Sequence, residues 1–480
     1  MDPGRRITEL AEELAAKVSI IVEQSAHIVA QDVRIAELAK QLAELKTELG
    51  QNSSNSHKPP SSDPPKARHG RRNKNRPKSK RRRGGQPGHR GAHRELVPQA
   101  QVDKFVELFP PQCESCWKAL PEVADPLAKR YQLTELPPIK PHITEYRRHS
   151  VRCRCGYKTQ AAYDETRIPA SPLGPRLMAL IAVLTGVYHI SRRRTVDLIR
   201  DVVGTRISLG AVSDVEARVS EAMTPAVAEA WASVEKADVK HTDGTGWLQS
   251  HATRSLWTIA TAAATVYRIV EDGCRKTLEP LFGKLHGILV SDRARVLAFW
   301  AIEQRQICWA HLLRRCVSFS ERDGPAAAIG RELLDCIGIM FEYWHDYKAG
   351  KLTRDALRLA MAPLQLQFEA VLTRAVEAKL ADVSGSCADM LWHKPALWNF
   401  VQHEGVEPTN NHAERELRAF VLWRRRSFGT QSDRGNLFAE RVMTVAHTAR
   451  KQNVDVLPFV TACCLALRNG TPAPSLFATA

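Results

Sequence analysis

The stretch from Lys66 to Arg94 holds 13 basic residues, no acidic residue and no aromatic. Such a run cannot bury a core, so it divides the chain and confines the large compact units to residues 95–480. The 480 residues are 44% hydrophobic, with a net charge of +17, and are enough for three or more units rather than one core. The charge is uneven: residues 1–65 carry 7 basic and 10 acidic side chains, whereas residues 95–480 carry 49 and 42. Concentrated positive charge is the electrostatic footprint of a polyphosphate ligand, foremost DNA, gripped without sequence preference and in a salt-dependent way. Arg71, Arg72, Lys80, Arg81, Arg82 and Arg83 are the candidate phosphate contacts; the plainer reading is a solvated tether. The opening Met1-Asp2-Pro3-Gly4-Arg5-Arg6 leads into no apolar signal core, and Leu177–Ile190, the longest apolar stretch, falls short of the ~20 residues a membrane helix needs. A cytoplasmic, nucleoid-associated protein with no membrane partner is expected. Eleven cysteines in such a setting read as reduced thiols plus one metal cluster.

Ahead of the basic run, Ile7, Leu14, Ile21, Ile28, Ile35, Leu42 and Leu49 recur at every seventh position. The pattern predicts a coiled coil over residues 1–50, and hence a homo-oligomer; the alternative is an amphipathic helix laid on its own chain. Residues 51–100, polar and proline-rich before the basic run, are expected to be a disordered linker. Cys113, Cys116, Cys153 and Cys155 form two short pairs joined by alternating segments, which predicts a zinc-ribbon-like DNA-binding domain over 101–170 with structural Zn²⁺; four unrelated thiols is the other reading. Residues 171–235 are helical, with Ser191 and Ser208 as N-caps on either side of Gly204, suiting either a helix-turn-helix or a spacer.

From residue 236 the pattern alternates strands and helices. Asp243 is placed at the end of a short strand, and Asp292 ends the apolar run Gly287-Ile288-Leu289-Val290-Ser291. Residues 321–400 read as a helical insertion. Glu414 then follows in Pro408-Thr409-Asn410-Asn411-His412-Ala413-Glu414-Arg415. Carboxylates from separate elements are the hard oxygen ligands that a two-magnesium phosphoryl-transfer site needs. Each acid also has a structural reading: Asp243-Gly244 as a turn, Ser291-Asp292 as a cap, and Asn411-x-x-Glu414 as a capping box.

Taken in order, Asn52 to Pro60, Gly84-Gly85-Gln86-Pro87-Gly88-His89, the Cys pairs, Cys308-Trp309-Ala310-His311-Leu312, Thr409-Asn410-Asn411-x-x-Glu414-Arg415 and Arg426-Ser427-Phe428-Gly429-Thr430 resemble the insertion sequence 66 family of bacterial transposases. The sequence departs from that pattern at Gly244, where many members carry Glu, and at Ala294-Arg295-Val296. The resemblance implies a multidomain α/β protein with a ribonuclease-H-like catalytic core over 236–450 and a helical tail over 451–480. It further implies Asp243, Asp292 and Glu414 as catalytic ligands of two Mg²⁺ or Mn²⁺ ions that cut and join DNA. Arg415, Arg418, Arg424, Arg425 and Arg426 become candidate backbone contacts, Cys308 and His311 packing residues, and accessory transposition proteins expected partners. A decayed copy that binds DNA without cutting it, and a nuclease that cuts without joining, are the alternatives.

Overall fold

The computed structural model describes residues 3–52, 55–56, 95–163, 168–169, 171–381 and 383–477, with side chains 14–38 and 41 described in the first helix. That helix, α1 (Pro3–Gly50), is 48 residues long, or about 70 Å. Its described side chains are all exposed; Leu14, Ile21, Ile28 and Ile35 of the seven-residue row stand 57–65% open. The packing of this row on its own chain is therefore not seen among the described residues.

Beyond α1, part of the segment read as unfolded is docked. The Asn52 backbone N–H donates to Asn55 Oδ1, and Asn55 Nδ2 reaches Glu321 Oε2 at 2.6 Å. A short asparagine turn satisfies its own backbone, which polarity alone does not reveal. The basic run, with Arg71, Arg72, Lys80, Arg81, Arg82 and Arg83, lies outside the described residues. Residues 95–163 contain no buried side chain. Their regular structure is one short antiparallel hairpin, β1 (Ser150–Arg152) with β2 (Lys158–Gln160), and a single 3₁₀ turn.

Four helices follow: α2 (Pro175–Ala182), α3 (Arg192–Leu198), α4 (Leu209–Ala222) and α5 (Thr224–Lys236). Ser191 Oγ accepts from the Arg194 N–H and Ser208 Oγ from the Ala211 N–H, so both predicted caps form. Gly204, at φ 74°, ends the first of the pair in the left-handed conformation. Their apolar faces, among them Ile181, Val212, Val215 and Val219, join the main core.

The sheet comprises β3 (Val239–Gln249), β4 (Ala252–Ala260), β5 (Thr265–Val270), then, after α6 (Arg275–Phe282), β6 (Ile288–Ser291) and β7 (Arg305–Ile307). Its order is β5-β4-β3-β6-β7; β3, β4 and β5 are antiparallel, while β3, β6 and β7 are parallel. Three 3₁₀ turns, two π-helical turns that extend α2 (Val183–Val187) and α3 (Ile199–Val203), and eight further helices complete the described fold: α7 (Trp309–Ser320), α8 (Gly324–Lys348), α9 (Arg354–Glu377), α10 (Ser384–Trp392), α11 (Asn399–Gln402), α12 (Asn411–Ser427), α13 (Asp433–Lys451) and α14 (Val456–Asn469). Helices α8–α10 form the insertion and build a second core of their own, around Leu333, Met340, Met361 and Phe368. The strand β6 is shared between the cores. Ile288 and Val290 face the insertion and Leu289 faces the main core, as the two-residue period of a strand requires.

At the other edge of the sheet, α13 covers β5. Side chains four residues apart on the helix accept from N–H groups two apart on the strand. Thr448 Oγ1 takes the Thr265 N–H, Thr444 Oγ1 the Tyr267 N–H, and Glu440 Oε1 the Ile269 N–H. Four helical residues rise about 6 Å and two strand residues about 6.6 Å, so the ladders stay in step and no bare edge is left there.

Candidate active site

The parallel pairing sets the positions of the first two acids. His241 of β3 pairs with Val290 of β6, so Asp243 and Asp292 each lie two residues past the same rung, at the C-terminal ends of the paired parallel segments. Asp243 does not end its strand, as the sequence suggested: β3 runs on to Gln249 in an antiparallel hairpin with β4. Nor is Asp243-Gly244 a turn. Gly244 pairs with Trp257 across the hairpin, and a Cβ at Gly244 would meet the indole carbons at 2.8 Å. The dipeptide is kept extended because the ring takes the space of the missing side chain.

Glu414 arrives on the first turn of α12, whose start is fastened to β3 and to the start of α7. Asn410 Nδ2 donates to the Thr242 carbonyl at 2.7 Å, the Asn410 backbone N–H to Cys308 Sγ at 3.1 Å, and the Trp309 N–H to the Pro408 carbonyl at 2.9 Å. The capping box does not form: Asn410 precedes the helix and makes no side-chain cap. Glu414 Oε1 is instead buried without a hydrogen bond among the described residues, with His311 Nδ1 4.0 Å away. Asp292 fills part of the expected capping role, since Oδ1 accepts from the Ala294 N–H at 2.9 Å.

Burial pushes the Asp243 carboxyl up to about 7, the negative charge of Asp292 adds to the shift and Glu414 contributes less, against a 2.8 Å hydrogen bond from the Gly244 N–H. The charges that raise Asp243 are thus those of the other two acids. Two carboxylates acting on a buried third are oxygen donors of the kind that fits hard divalent cations. The three carboxylates are not all within 4.8 Å of one another; the ligand-type atoms that are belong to Cys308, His311 and Glu414. Burial drives the Cys308 thiol up to about 11, opposed by N–H groups of Asn410 and His311.

The arginines of α12 divide. Arg415, Arg418, Arg425 and Arg426 are exposed. Arg424 is turned inward, donating to the Gly246 carbonyl and, at 3.3 Å, to Thr245 Oγ1, so it braces β3 instead.

Behind the acids lies an ionic cluster that sequence reasoning missed. Glu416 pairs with His447 Nδ1, with Lys451 Nζ at 3.2 Å and with His412 Nε2 at 3.6 Å. Tyr267 donates to the Glu416 carbonyl at 3.0 Å. Burial alone would raise the Glu416 carboxyl, but hydrogen bonds from His412 and His447 and their neighbouring charges hold it well below the usual range. Glu416 sits two residues from Glu414 in the sequence, but nothing there announces partners on α13 and β5.

Two backbone turns position the remaining predicted ligands. The Cys113 carbonyl accepts from the Trp117 N–H, and the Cys153 carbonyl from the Gly156 N–H. N–H groups of Cys116 and Ser115 lower the Cys113 thiol, and that of Cys155 lowers Cys153. Cys113, Cys116, Cys153 and Cys155 are not drawn into one group within 4.8 Å. Among the described residues no helix is long and apolar enough to cross a membrane.

The fold is that of a mixed α/β protein whose sheet carries two acids past the ends of paired parallel segments and whose α12 carries a third. Residues 170–437 match the family model described as Transposase IS66 family, and the chain belongs to that family. Residues 2–95 match a family of unknown function, DUF6444. No curated protein matches the chain.

Proposed function

We propose that this protein is a metal-dependent DNA transposase that binds the ends of its element, cuts them and joins them to target DNA. One observation carries the reading within a transposase family: Asp243 and Asp292 stand at the same level of adjacent parallel strands, and the charges of Asp292 and Glu414 both act on Asp243. The strand order β5-β4-β3-β6-β7, antiparallel then parallel, supports a ribonuclease-H-like core. Asp243, Asp292 and Glu414 would hold two Mg²⁺ or Mn²⁺ ions, which when bound activate the attacking oxygen and stabilise the leaving one. Asn410 keeps Glu414 in register with the strands. Arg415, Arg418, Arg425 and Arg426, with the basic run 66–94, would hold DNA phosphates. The exposed apolar row of α1 supports a coiled coil that pairs two protomers, and with them two DNA ends. The cysteine turns at 113–116 and 153–155 would each supply half of a structural zinc site.

The test is an assay of purified protein on the DNA flanking its own gene with Mg²⁺ or Mn²⁺, beside Asp292→Ala. Cleavage at the element ends and joining to a second duplex, both lost in Asp292→Ala while DNA binding stays nearly intact, is the expected result. Binding without cleavage by the wild-type chain, alone and with cell extract, would favour the decayed copy. Cutting without joining would favour a nuclease.

A further inference from the structure

We infer that Cys308, His311 and Glu414 form a binding site for one thiophilic divalent cation of the zinc class, distinct from the hard-ion site and sharing Glu414 with it. The three ligand atoms lie within 4.8 Å of one another. Around a tetrahedral ion with bonds of about 2.0–2.3 Å, ligand atoms stand roughly 3.5 Å apart, so side-chain rotations of about an ångström close the set. The donors come from two helix starts already fastened together. Cys308 is the residue before α7 and His311 lies in its first turn. Glu414 lies in the first turn of α12, and Asn410 and Pro408 tie that helix start to Cys308 and Trp309. Little ordering remains to be done on binding.

The donor chemistry decides the ion. Magnesium takes oxygen ligands and does not select a thiolate or an imidazole, whereas one sulfur, one nitrogen and one oxygen suit Zn²⁺ or Co²⁺. Three protein ligands leave the fourth position open to water. Glu414 Oε1, buried without a hydrogen bond among the described residues, gains a partner when the ion binds. If the proposed transposase reading holds, zinc here also withdraws Glu414 from Asp243 and Asp292, so the ion would restrain cleavage.

The experiment is a titration of metal-free full-length protein with Co²⁺, reading the thiolate-to-cobalt absorption band. Cys308→Ser is expected to lose one equivalent of that band, and His311→Gln to weaken it by at least about tenfold. Asp243→Asn and Asp292→Ala are expected to keep that equivalent, and so is Cys113→Ser, whose own loss falls on the separate cysteine site proposed at 113–116 and 153–155. Because Cys308 is fully buried, circular dichroism accompanies each variant, and His311→Gln serves alone if Cys308→Ser does not fold. The inference is overturned if His311→Gln, and Cys308→Ser where it folds, bind cobalt as the wild type does. That outcome is independent of whether Asp292→Ala retains cleavage, which tests the transposase reading alone.

Discussion

At the scale of single residues, Asp243 couples the site to solvent pH. Its folded carboxyl titrates near 7 instead of the ordinary 3.8, so between those values the folded state holds a proton that the unfolded chain has released. Stability without divalent metal therefore falls as pH rises from about 4 to 7 and then levels off. The full shift would cost about 4 kcal/mol; partial exposure of Asp243 reduces this to on the order of 2 kcal/mol. Denaturant melts across this range should show the fall in the wild type and its loss in Asp243→Asn, and Mg²⁺ should restore stability to the wild type alone. The neighbouring glycine gives a second expectation. Trp257 Nε1 is anchored to Ser255 Oγ at 2.8 Å, so the ring cannot withdraw easily from an added Cβ. Gly244→Ala should cost about 1–3 kcal/mol by overpacking, seen as a lower melting temperature; an unchanged melt would mean that the ring moves. Asp292 is legible in the sequence because an apolar run ends at it. The place of Asp243 is not, because Asp-Gly reads as a turn until the pairing of Gly244 with Trp257 is known.

At the scale of elements, the sequence reveals the helix starts at Ser191 and Ser208, the strand before Asp292 and the interruption by helices between the second and third acids. It does not reveal what holds α12. The motif Thr409-Asn410-Asn411 is visible, yet Asn411 looks like the cap, when Asn410 is the residue that stitches three segments together. Nor does Glu416 stand out, since its partners lie 31 and 35 residues away on α13. Glu416→Gln should leave Lys451, only 14% exposed, without its counter-charge and cost about 3–5 kcal/mol. The loss should appear in thermal melts at neutral pH. A change below about 1 kcal/mol would mean that the cluster is already well solvated. Asn410→Ala should lower cleavage more than stability, because it frees the direction of Glu414 while the core of α12, at Leu417 and Phe420, remains packed.

At the scale of the whole molecule, the exposed row on α1 predicts a dimer for the full chain and a monomer for residues 51–480, to be read by light scattering at micromolar concentration. Equal masses would remove the coiled coil from the proposal. The heptad row is plain in the sequence because coiled-coil seams are local, whereas the two cores are not, because they depend on which face of one short strand meets which helices. That strand has an effect beyond packing. With Ile288 and Val290 in one core, Leu289 in the other and Asp292 next in line, β6 is a party wall between two rooms, and the acid is mounted on its end. Any change that loosens the insertion, however far from the three acids, would be felt at Asp292 as a shifted carboxylate. The helices between β7 and α12 can thus govern where that acid stands from the far side of the wall.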